Sequence, residues 1–68
     1  MTDKYSVWFF QDSNEVLLTD DNSPPVGASL VGLYDRPDLA MGWGEADEAA
    51  KKKATETGAL IIYSATFA

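Results

Sequence analysis

Carboxylates are the side chains with which this chain could do chemistry: it holds eleven Asp and Glu among 68 residues, and neither His nor Cys. Asp12-Ser13-Asn14-Glu15 and Asp20-Asp21-Asn22-Ser23 superficially resemble calcium loops. Neither follows the D-x-[DN]-x-[DN]-G pattern with a distant Glu, because Glu15 follows Asn14 and prolines follow Ser23. Both stretches read better as turns. Zinc needs Cys or His in almost every structural site, so no metal and no cofactor is expected. Paired carboxylates could cleave glycosidic bonds, but that requires two acids about 5–10 Å apart across a cleft, one of them in an apolar setting. The acids here fall mostly in turn-forming segments. A nucleophile would lack the His or Cys that usually activates or supplies it. The composition therefore predicts a binding protein and not an enzyme.

The charge is unevenly distributed. The first fifty residues carry Asp3, Asp12, Glu15, Asp20, Asp21, Asp35, Asp38, Glu45, Asp47 and Glu48 against Lys4 and Arg36, a net −8. The rest carries Lys51, Lys52 and Lys53 against Glu56, leaving −6 overall and a pI near 4.1. Such a balance repels nucleic acid and anionic membranes, and favours a protein partner with a basic surface. The lysine run does not reverse this. Successive helical residues point about 100° apart, and Lys51 and Lys52 have acids four residues before them. Gly42-Trp43-Gly44 before a helix has the look of a phosphate-binding turn, yet Glu45, Asp47 and Glu48 would repel a phosphate. Trp43 reads instead as an anchor, either a plug in the core or a hot spot for a partner.

These residues must be positioned by a small fold. Residues 5–10 are aromatic and β-favouring, and residues 15–19 return after the turn formers at 11–14. Pro24-Pro25 breaks the chain, and residues 28–34 give a third strand in which Gly32 marks a bulge or close packing. A short helix over 26–34 is the lesser alternative. Residues 45–57 form the one helix, acidic in its first turn, basic in its middle and closed by Gly58. Its buried stripe is Trp43, Ala46, Ala50, Ala54 and Thr57, with Ala49 beside it. Residues 59–67 form the last and most apolar strand. The expectation is a single α+β domain over 1–68, a four-stranded mixed sheet with one helix on one face, ordered 3-2-1-4.

That order would gather Asp12, Glu15, Asp35, Asp38, Glu45, Asp47 and Glu48 at one end, opposed only by Arg36. Two readings of the cluster stand: a surface that docks onto a basic protein site, or solvated turns whose acids serve as caps. Strand 1 is apolar on both faces, with Tyr5, Val7 and Phe9 on one and Trp8 and Phe10 on the other. One alanine-lined helix covers only one face. The other either forms a homodimer interface through Trp8 and Phe10, or lies beneath residues 20–27 and 35–44 with Trp43 or Met41 as a plug.

The start, Met1-Thr2-Asp3-Lys4, does not read as a signal peptide, and the longest apolar run, 59–63, is far short of the roughly 20 residues needed to span a bilayer. With no Cys, a cytoplasmic location is expected. In size and charge alone the chain is similar to the small inhibitors that phages deploy against host nucleases and CRISPR complexes. The functional expectation is an acidic module that occupies a basic, nucleic-acid-binding type of site on another protein. A structural or assembly protein joined through the apolar sheet face is the alternative.

Overall fold

The computed structural model describes residues 4–21, 23–35 and 43–64. Its elements are β1 (Lys4–Phe10), β2 (Glu15–Thr19), β3 (Ala28–Asp35), α1 (Glu45–Thr57) and β4 (Leu60–Ser64). The fold is the expected α+β arrangement, a four-stranded mixed sheet with one helix packed on one face. Expectations for Arg36, Asp38 and Met41, and for strand residues beyond Ser64, lie outside the described residues.

β1 and β2 form an antiparallel hairpin with Phe10 opposite Glu15. Asn14 closes its turn at φ 54°, a left-handed conformation that Asn tolerates better than most residues. The hairpin occupies the middle of the sheet and β3 and β4 its edges, but the order is β3-β1-β2-β4 and not 3-2-1-4. β3 pairs antiparallel to β1, and β4 pairs parallel to β2. The inner strands are thus exchanged, and the physical reason lies in residues 20–27. They do not form a hairpin turn. β2 and β3 run in the same direction on either side of β1, so this connection must cross β1 from one end of the sheet to the other. Eight extended residues reach about 27 Å, enough for the crossing.

The crossing starts over the face opposite the helix. Ser6 lies on that face, and its hydroxyl donates to the Asp21 carbonyl at 3.1 Å, with the Thr19 carbonyl at 3.4 Å. The same oxygen accepts from Trp8 Nε1 at 2.8 Å. Ser6 and Trp8 are consequently buried, Trp8 to 6% exposure. On the other face Tyr5, Val7, Val16 and Leu18 are sealed by Ala46 and Ala50 of α1. Phe9, Val31, Tyr34, Trp43, Ala54, Ala59 and Ile61 pack around them. Alanine keeps the helix close to the sheet, as its spacing predicts. Gly32 serves both expected roles. A register shift falls beside it, between Val7 and Trp8, and the Tyr34 ring occupies the space where a Cβ would stand.

Both ends of α1 follow from sequence. Gly58 adopts φ 72°, and its N–H and that of Ala59 reach the Ala54 carbonyl at 2.7 and 3.1 Å, a Schellman-type ending. The first turn has no side-chain cap, and Glu45, Asp47 and Glu48 face its positive pole. The helix ends are fixed lengthwise by their neighbours. Asn14 Nδ2 donates to the Thr57 carbonyl at the hairpin-turn end, and Tyr63 reaches Asp47 at the other.

Candidate protein-docking surface

The exchanged strands redistribute the carboxylates. Asp12 and Glu15 sit at the hairpin turn, beside the C-terminus of α1. Asp35 lies opposite Lys4 at the other end of the sheet, where α1 begins with Glu45, Asp47 and Glu48. The expectation that all seven acids share one end is therefore corrected: Asp12 and Glu15 stand at the far end, and Asp38 is not described. The cause is strand direction. β3 pairs antiparallel to β1 and so runs in the same direction as β2, which brings Asp35 and the start of α1 to the end where β2 stops, beside Asp20 and Asp21 and away from Asp12 and Glu15.

The end so formed has six described carboxylates, Asp20, Asp21, Asp35, Glu45, Asp47 and Glu48, against Lys4 and Lys51. Asp20 is buried and shapes the end without facing solvent. Asp35 pairs with Lys4, although both side chains remain well exposed. Asp47 is held most firmly: Tyr63 Oη donates to its Oδ1 at 2.6 Å and Lys51 Nζ lies 3.0 Å from its Oδ2. The Tyr63 hydrogen bond, aided by Lys51, lowers the Asp47 pKa against a smaller desolvation effect. The same bond raises the Tyr63 pKa, because the phenol must keep its proton to donate it. Glu45 and Glu48 are exposed and make no ion pair among the described residues. Together with Asp21 they form the open part of the surface.

Aromatic packing backs this end. Trp43 lies between Tyr5 and Tyr63, with ring centroids 4.5 and 5.6 Å away. Trp43 is thus packed against the core, the first of the two roles its glycine-flanked position suggests. The chain from Trp43 through Tyr63 to Asp47 joins the helix start to β4, so the first-turn acids are carried on fixed backbone. Lys52 and Lys53 lie away from them, beside a groove of about 300 Å³ between α1 and β3 that Val31, Tyr34, Ala49 and Glu56 also line. Lys53 Nζ sits 5.0 Å from the centre of the Phe9 ring. The lysines thus follow the acidic first turn within α1, while Asp12 and Glu15 stand beside its C-terminus.

The face opposite the helix differs from its sequence expectation. Trp8 is buried beneath the start of the crossing connection and Phe10 is half-buried, so neither stands as an open dimer contact. The exposed apolar side chains there are Leu30 and Leu33 on β3, and Leu60 and Ile62 on β4. No group of three or more carboxylates converges on a potential metal site among the described residues, and none of their helices is long and apolar enough to cross a membrane. Comparison with protein-family models, curated proteins and solved structures finds no match for this chain.

Proposed function

We propose that this protein is an acidic binding module that docks its carboxylate-rich end onto a basic site of a partner protein. The observation that carries this reading is the gathering of Asp21, Asp35, Glu45, Asp47 and Glu48 from three separate stretches of chain at one end. A helix N-terminus favours one or two carboxylates, and the first turn alone already holds three. Like charges crowded at one end oppose the compact state, so the surplus calls for a use. A patch of fixed carboxylates matches a cationic groove of the kind that binds a polyanion, and its action there is occlusion. Binding then competes with nucleic acid and takes place in the cytoplasm. No catalysis and no cofactor enters this role.

Charge reversal tests it. Retention of a basic partner from host lysate should fail for a chain carrying Asp35→Lys, Glu45→Lys and Glu48→Lys. Asp12→Lys with Glu15→Lys, at the other end, should leave retention intact. Equal effects of the two variants, or retention that ignores salt, would contradict the proposal.

A further inference from the structure

We propose that the outer edge of β4 pairs with β4 of a second copy, antiparallel about a two-fold axis at Ile62, to give a continuous eight-stranded sheet. β3 and β4 are both edge strands, yet only one is defended. β3 is irregular in register and ends in a charge, Asp35, which are two of the usual devices against edge pairing. β4, Leu-Ile-Ile-Tyr-Ser, has no charge, proline, glycine or register shift, in a chain where 24% of residues are charged. Its side chains are nevertheless open: Leu60 is 72%, Ile62 41% and Tyr63 46% exposed. An edge offers unpaired N–H and C=O groups at strand spacing, and an extended backbone is the occupant that matches them.

Self-complementarity identifies that occupant as a second copy. With Ile62 on the axis, Ile62 meets Ile62, Leu60 meets Ser64, and Ile61 meets Tyr63. No charged pair arises, and a β-branched residue opposite an aromatic one is a favourable cross-strand combination. Ile61 and Tyr63 lie on the helix face, Leu60 and Ile62 on the other, so both sides gain apolar cover. The charge distribution agrees. Ser64 marks the acidic end of β4, and the antiparallel arrangement sends the two acidic ends to opposite extremes of the assembly. Two chains of charge −6 thereby meet along an uncharged strand.

Sedimentation equilibrium of the full chain, with a cysteine reporter, tests this. The wild type should dimerise, and Ile62→Lys should weaken the dimer about 100-fold or more by opposing two like charges on the axis. Leu33→Lys, on the edge of β3, should leave it unchanged. Since the chain has no cysteine, Ile62→Cys should form an intermolecular disulfide rapidly on mild oxidation, whereas Leu33→Cys should not. If Ile62→Lys fails to fold, the cysteine variant still decides. A wild type that stays monomeric, or one that cross-links through Leu33 and not Ile62, overturns the proposal.

Discussion

At the residue scale, two side-chain networks hold the molecule in the form described. Tyr63 and Asp47 share one hydrogen bond that acts on both of their titrations. Asp47 has a folded pKa below its ordinary value of 3.8, so its contribution is complete above that value and is lost as pH falls through the folded pKa. Tyr63 has a folded pKa above 10.0, so its contribution is present below that value and is lost as pH rises through the folded one. Tyr63→Phe should cost about 1 kcal/mol near neutral pH and leave little difference from wild type at either extreme. Urea unfolding at several pH values measures this, and a pH-independent difference would contradict the coupling. Ser6 makes the second network. Ser6→Ala removes the acceptor for buried Trp8 Nε1 and the donor to the Asp21 carbonyl, for an expected loss of about 1–3 kcal/mol. Hydrogen exchange at Asp21 and at the neighbouring connection should accelerate. Unchanged exchange there would show that Ser6 does not tether the crossing.

At the element scale, much of the fold was legible because local signals and burial agreed. The helix begins and ends where its acids and Gly58 place it, and its alanine stripe is the one that packs. Gly58→Ala forces a β-carbon into a left-handed position and should cost about 1 kcal/mol. Gly32→Val must displace the Tyr34 ring, whose Cζ is 2.8 Å from a Cβ at that position, and should cost about 1–3 kcal/mol. Thermal unfolding checks both, and a neutral Gly32→Val would mean that Tyr34 moves aside freely. Strand order was not legible in the same way. β1 and β2 both carry apolar residues on their two faces, so hydrophobicity places both inside the sheet without ranking them. The informative signal was length. Eight residues containing two prolines are too many for a tight turn, and they suit a connection that crosses a strand.

At the scale of the whole molecule, strand order decides which charges meet. A charge count along the chain shows the excess of carboxylates but not their company, since one exchange of neighbouring strands moves Asp12 and Glu15 to the far end and brings Asp20 and Asp21 in. The first-turn acids Glu45, Asp47 and Glu48 belonged to the acidic end under either order, because they start the helix that begins where β3 stops. Tyr63 was not legible as part of that end. Its role depends on β4 lying beside β2, which brings its hydroxyl to Asp47. The most direct measurement is an amide chemical-shift titration of the labelled protein with an oligoarginine peptide at low and high salt. Shifts should concentrate at Asp21, Asp35 and residues 45–48, spare Asp12 and Glu15, and fade as salt is raised. Shifts spread equally over both ends, or centred on the hairpin turn, would contradict a docking surface at the start of α1.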